Sequence, residues 1–397
     1  MKILWFPRLQ FDIDKLHITT WREMCRELEE SWRCDVRIAI AGSPSGNIFS
    51  RGYIPVFIIR KRFLRLLTFW IVGFAKFIYH YLIFKPDVVI LDVFTVWFSV
   101  PFAILPGRRT LIIVDNRAPF YNIQPHKPTL NDKILEFYTT LSYRYCKSFL
   151  DGMTVITDHY KQCVCDRFGF KPSFIGVWGS GADIDMFSPD KTRGCRRPDF
   201  LRDKFVLMQH GEIGYNRGAL ETVEAVKRVN NKDIVLVFIG DGGAKNEILE
   251  KAKALGLEKR VYFLNAVPYP EVPLYISYCD CAIMAYPDIE YWNNNNPIKL
   301  LEYLAMGKPV ICSDIWTFRN VAGDRKCLYY IKQNDPETIA KAINHCYENR
   351  EYLKEWGREG IEIVKQGFTW HKQSGNLLSF IEQSGKLQSQ KQKRRHR

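Results

Sequence analysis

A chain of 397 residues, 47% hydrophobic and 25% charged, is globular rather than disordered, and too long for one core, so two domains are expected. Its formal charge of +14 favours an anionic partner: a nucleic acid, an acidic membrane or a phosphorylated substrate. The 11 cysteines, an odd number scattered along the chain, fit reduced thiols in a cytosolic setting and argue against a disulfide scaffold.

Residues 1–24 carry no signal-peptide pattern, and a cytoplasmic location is the expectation. Short apolar runs at 3–6, 36–40, 88–91, 110–114, 153–156 and 173–177 read as strands, with helices at 20–32 and 131–147. Segment 63–84 reads as a helix with a broad apolar face, interrupted by Arg65, Lys76 and His80. Its uninterrupted apolar stretch, 66–75, is about half of the roughly twenty residues a membrane span needs. Two readings stand for it: a helix buried against a sheet, or a helix lying on an anionic membrane surface. Trp70 and the run Arg60-Lys61-Arg62 support the second. Between Arg51 and Arg109 there are nine Lys/Arg against two acids.

Strands recur at 205–208, 234–239, 261–264, 281–284, 310–312 and 327–331, again with helices between them. Near-continuous apolar strands separated by helices mean parallel sheets buried on both faces, and two such sets mean two Rossmann-like domains. The expected boundaries are 1–187, a Pro/Gly/Arg-rich linker at 188–202, 203–373, a helix at 374–385 and a disordered basic tail at 386–397. Ligands of open parallel sheets sit at the C-terminal strand ends, so a crevice between two facing domains is expected.

Three turns of the second half carry the candidate chemistry. The first strand runs into Gly211, Gly214 and Arg217-Gly218, where glycines allow close backbone approach and the arginine can grip a diphosphate. The next ends at Gly240-Asp241-Gly242-Gly243. The third, 264–268, includes Val267 and offers a strand exit against which a nucleotide base could pack. Each is also an ordinary strand-to-helix turn. More specific is the run from Asn293 to Val310. Asn296 reads as an N-cap and Pro297 as the first residue of a helix that ends at Gly307. Such a helix start attracts anions, and Lys299 in its first turn, where the dipole disfavours a cation, suits a phosphate ligand. Glu302, three residues on, adds a carboxylate for hydroxyls.

Taken together, residues 177–189, 211–218, 239–242, 261–275, 297–310 and 368–370 resemble the retaining glycosyltransferases of family 4, which have the two-domain GT-B fold. The likeness covers 170–380 in order and spacing. The first half matches only in its strand pattern. The resemblance implies that Arg217, with Gly211, Gly218 and Gly240, holds a donor diphosphate. It implies that Pro297, Ile298 and Lys299 face the phosphates, and that Glu302 binds the nucleotide ribose. It further implies that the final helix crosses back to the first domain. The sequence departs from the pattern twice: Asn294 stands where a first glutamate is expected, and Glu212 where an arginine is common. Asn294, Asp115 and Arg117 are the catalytic candidates, the last two because they follow a strong strand of the first domain.

Asp12-x-Asp14 and Asp183-x-Asp185 look like a metal motif but are assigned to structure. Arg217, Lys299 and the helix dipole suffice for a leaving diphosphate, so no metal or other cofactor is expected. The expectation is a retaining hexosyltransferase that uses a nucleotide sugar and a glycan or lipid-linked acceptor, in polysaccharide or glycolipid synthesis. Peripheral contact with anionic membrane is expected, and specific nucleic-acid binding is not. The alternatives are a catalytically silent homologue that binds glycans or partners, and a nucleotide-sugar epimerase of the same fold.

Overall fold

The computed structural model describes residues 1–8, 15–42, 52–59, 61–105, 107–117 and 129–395. Asp12, Asp14 and Arg60 lie outside them. The described residues divide into two compact units, one built from those up to 180 and from 370–395, the other from 181–369.

The first unit contains β1 (Lys2–Phe6), α1 (Lys15–Glu30), β2 (Asp35–Ala41), β3 (Tyr53–Val56), α2 (Arg62–Phe84), β4 (Val88–Leu91), α3 (Val100–Ala103), β5 (Leu111–Asn116), α4 (Leu130–Phe149), β6 (Gly152–Val155), α5 (Asp158–Phe168) and β7 (Ile175–Val177). All pairings are parallel, in the order β3-β2-β1-β4-β5-β6-β7. The extra strand, β3, contains Pro55 and occupies an edge, where the missing N–H costs no ladder bond.

One face of this sheet is covered by α2, α3, α4 and α5. Phe77, Phe102, Tyr143 and Val164 of that layer, with Phe98 of the 3-10 turn Val96–Ser99, share a core with Phe6, Val56, Leu91, Val114 and Val155. Helix α2 spans 23 residues, and its part Leu64–Phe84 is the one described helix long and apolar enough to cross a membrane. Its inner side is nevertheless core: Phe69, Phe77 and Phe84 are buried.

The second unit contains β8 (Phe205–Glu212), α6 (Ala219–Arg228), β9 (Ile234–Asp241), α7 (Lys245–Ala254), β10 (Val261–Leu264), α8 (Val272–Ser277), β11 (Cys281–Met284), α9 (Glu290–Asn293), α10 (Ile298–Ala305), β12 (Val310–Ser313), α11 (Trp316–Ala322), β13 (Leu328–Ile331), α12 (Pro336–Glu348) and α13 (Leu353–Gly367). Its parallel order is β10-β9-β8-β11-β12-β13. The order reverses direction between β8 and β11, so the C-terminal end of β8 is the natural ligand position.

Four boundaries differ from the sequence reading, the first being the end of the first unit, at 180 rather than 187, with Ala182 and Phe187 in the core of the second. The 188–202 segment belongs to the second unit: Leu201 is buried in its core and Arg197 pairs with Asp280 at 2.5 Å. The final helix, α14, starts earlier, at Trp370, and belongs to the first unit. It also runs on to Arg395, so residues 386–395, expected to be disordered, are helical. Asp183 is structural: its side chain accepts the N–H groups of Asp185 and Met186. All 11 cysteines are free thiols, and the described residues hold no cluster of three or more metal-ligating side chains.

Candidate functional site

Strand β8 is apolar until Gln209-His210, then turns at Gly211 with φ +100°. A Cβ at Gly211 would come within 2.6 Å of Lys299 Cε, so the lysine stem crosses directly over this glycine. Gly211 is paired with Gly240 at the end of β9, so both glycine turns meet at one edge of the site. Gly218, with φ +66°, opens α6; a Cβ there would stand 1.8 Å from the Ala285 carbonyl oxygen. Only glycine permits both that backbone conformation and that approach.

Helix α10 begins one residue later than the sequence suggested. Pro297, not Asn296, is the N-cap, and no side chain caps the helix start. The Leu300 N–H already bonds the Pro297 carbonyl at 3.1 Å, which leaves the N–H groups of Ile298 and Lys299 to face a ligand. Lys299 makes no ion pair among the described residues. Burial pushes its ammonium below the usual lysine range, against the opposing pull of Glu302.

Glu302 is 2% exposed and fixed from two sides. His210 Nε2 lies 2.8 Å from its Oε2, and the Tyr269 hydroxyl donates to its Oε1 at 2.8 Å. Burial alone would push this carboxyl up. The His210 hydrogen bond, with the charge of Lys299 and the Tyr269 bond, outweighs burial and holds it below the ordinary carboxylate range. His210 is held in turn: its backbone N–H donates to the Tyr303 hydroxyl at 2.9 Å. His210, Tyr269 and Tyr303 were absent from the sequence reading. The available signal was the polar pair Gln209-His210 closing an apolar strand. Val267 packs against the core two residues before Tyr269.

Arg217 sits in a short 3-10 turn (Tyr215–Arg217) between β8 and α6. Its guanidinium pairs with Glu212 at 2.7 Å and lies 5.0 Å from the Trp292 ring. Trp292 Nε1 donates to the Asn216 carbonyl at 2.8 Å, so α9 clamps the arginine turn. Burial disfavours the Arg217 charge, but Tyr286 and Glu212 more than offset it. Asn294 follows α9, fully buried, with its N–H bonded to the Glu290 carbonyl at 3.0 Å.

The remaining two candidates lie in the first unit, where the structure gives both local partners. Asp115, on β5, is 3% exposed and accepts from the Thr154 hydroxyl at 2.8 Å. Burial pushes its carboxyl up to about 6. Arg117 donates to the carbonyls of Trp178 at 2.6 Å and Gly179 at 3.4 Å, with its guanidinium 3.6 Å from the Trp178 ring centroid. Burial lowers it to about 10. The structure therefore groups Gly211, Arg217, Gly218, Gly240, Lys299 and Glu302 around the end of β8. Asp115 and Arg117 form a separate cluster at the end of β5.

Two parallel α/β units, one carrying a cationic, glycine-lined strand end beside a helix start, define the GT-B class of fold. Residues 196–363 match the model of the family described as glycosyl transferases group 1. An uncharacterized glycosyltransferase of Methanocaldococcus jannaschii is 24% identical over 199 residues, 49% of this chain and 46% of that one. The putative glycosyltransferase YtcC of Bacillus subtilis is 23% identical over 251 residues, 58% of this chain and 60% of that one. The chain thus spans about half the length of the curated relatives it matches. Among solved structures, Anabaena HepE in complex with UDP superposes with a TM-score of 0.73 at 14% identity, over 96% of this chain and 100% of that one. HepE has also been solved with UDP-glucose. At that identity the likeness shows the fold alone.

Proposed function

We propose that this chain is a glycosyltransferase that moves a hexose from a nucleotide sugar to a glycan acceptor with retention of configuration. The observation that carries the reading is the pairing of a Lys299 that makes no ion pair among the described residues, laid over Gly211, with a Glu302 carboxylate locked by His210 and Tyr269. A cation at a glycine turn suits phosphates, and a fixed ionised carboxylate suits ribose hydroxyls. The UDP and UDP-glucose complexes of HepE support a nucleoside diphosphate sugar as donor.

In this reading Arg217, Lys299 and the start of α10 stabilise the departing diphosphate as oxocarbenium character builds at the anomeric carbon. The acceptor hydroxyl attacks from the face the diphosphate leaves, and no metal is needed. The acceptor is a lipid-linked or polysaccharide precursor at the cytoplasmic side of a membrane, which α2 touches peripherally.

Thermal-shift measurements with UDP, GDP, ADP and their sugars test the donor site: one nucleotide should raise the melting temperature, and stabilisation by none of them would sink it. Lys299→Ala and Glu302→Ala should each weaken binding about tenfold or more while leaving the fold intact. Chelator should leave transfer unaffected. A silent, ligand-binding homologue is the second reading, favoured by Glu212, which occupies Arg217, and by the uncharged Asn294. It predicts nucleotide binding without sugar transfer or donor hydrolysis.

A further inference from the structure

The helical layer of the first unit leaves an apolar outer surface that its own core does not use. On α2, Leu64, Leu67, Ile71, Leu82 and Ile83 are all exposed, Ile71 by 61%. Most of them recur at helical spacing along one line, opposite the buried Phe69 and Phe77. Helix α4 repeats the pattern. Leu130, Ile134, Phe137 and Leu141 follow i, i+4, i+7, i+11 and are exposed by 73, 57, 70 and 43%. Ile104 and Leu105, just beyond α3, are exposed as well. All three elements cover the same sheet face through one shared core, so their outward sides point away from the sheet together. Scattered exposed apolar residues are ordinary, but two parallel-patterned stripes in one layer are not.

The charge around these stripes selects the occupant. Helix α2 contains no acidic residue, and Lys61, Arg65, Lys76 and Lys85 lie along or beside it. On α4, Lys133 and Arg144 accompany the stripe, while Lys147 donates to the Phe168 carbonyl at 3.2 Å. The acids of α4 beside it are engaged: Asp132 in the capping box with Thr129, Glu136 with Arg167. A second copy of this chain would have to set one basic face against another, which like-charge repulsion opposes. An anionic bilayer meets both requirements, apolar and cationic.

We propose that α2, the turn after α3 and α4 together form a bilayer-docking face for anionic lipid, a two-helix footprint rather than a single surface helix. It rests on the peripheral membrane contact proposed above and extends it to α4. Flotation of the full chain with mixed phosphatidylglycerol–phosphatidylcholine vesicles tests it. The chain should float with these vesicles, far less with pure phosphatidylcholine, and less at high salt. Ile71→Glu and Phe137→Glu, both at exposed positions, should each reduce the bound fraction by about tenfold, and the double variant should not float. An unchanged circular-dichroism spectrum and melting temperature of the variants show that they are folded. Unchanged flotation of Phe137→Glu would overturn the two-helix face. Absence of flotation by the wild type, or a dimer in sedimentation that both substitutions dissolve, would overturn membrane docking altogether. Flotation without any nucleotide stabilisation would instead leave this face standing and sink the transferase reading.

Discussion

Glu212 is the residue whose chemistry departs furthest from its surroundings, an acid beside Arg217 and Lys299, the two cations that the proposed function assigns to phosphates. It is half exposed yet holds Arg217 at 2.7 Å, so it neutralises the charge that the proposed donor diphosphate would use. A donor must displace it, and Glu212→Gln should therefore tighten nucleotide binding about two- to fivefold, the scale of a partly exposed ion pair. Titration calorimetry against UDP checks this, and weaker binding by the variant would mean that Glu212 itself contacts the ligand. Asp115 supports a second prediction at this scale. Its carboxyl titrates at about 6 in the folded chain against 3.8 for the free group. The folded state therefore binds the proton more tightly, and stability from this group falls as pH rises through that window. Asp115→Asn removes the loss, so relative to wild type it should gain up to about 3 kcal/mol between pH 4 and pH 8 in urea unfolding. What sequence could convey at this scale was residue type at a turn: Gly211, Arg217, Lys299 and Glu302 were legible because local rules place them. His210 and Tyr269 were not, because each matters only through a partner 92 or 33 residues away. The engagement of Arg117, a catalytic candidate from sequence, by two backbone carbonyls is likewise tertiary.

Some of the elements that shape the candidate site are short. Helix α9 has four residues, too few to be stable alone, and it is fixed to the arginine turn by the Trp292–Asn216 bond and the Trp292–Arg217 stacking. Trp292→Phe keeps most of the apolar volume and deletes the hydrogen bond. The expected loss is about 1–2 kcal/mol of stability, with a larger proportional loss in nucleotide affinity because Arg217 is no longer positioned. Comparing denaturant midpoints with UDP affinities checks this, and equal affinity at reduced stability would make α9 merely structural. Element existence was readable wherever apolar periodicity was strong, as in β9 or α10. It failed at β3, where Pro55 argues against a strand and only the edge position resolves the conflict. It failed again at the end of α14, where a Gln/Lys-rich run without apolar period still continues a helix.

At the scale of the whole molecule, the chain leaves the first unit, builds the second, and returns to the first with α14. That return is anchored by Phe380. A Cβ at Gly176 would come within 2.3 Å of its ring, and one at Gly152 within 2.7 Å, so the ring lies on the bare backbone of β7 and β6. Further toward its start, α14 fixes the same unit through Gln373, which accepts the Gly179 N–H at 2.7 Å, and Ser374, which accepts from Trp32 Nε1 at 2.9 Å. Each unit has its own sheet and its own buried core. Removing the Phe380 ring should therefore weaken one unit and spare the other. Phe380→Ala should cost about 3–5 kcal/mol, and in hydrogen exchange the loss of protection should concentrate in β5, β6, β7 and α1. Strands β8 to β13 should keep theirs, and UDP should still protect the ends of β8 and α10. Equal loss of protection in both units would mean that they unfold as one cooperative body, and the division into two independently cored units would then be wrong.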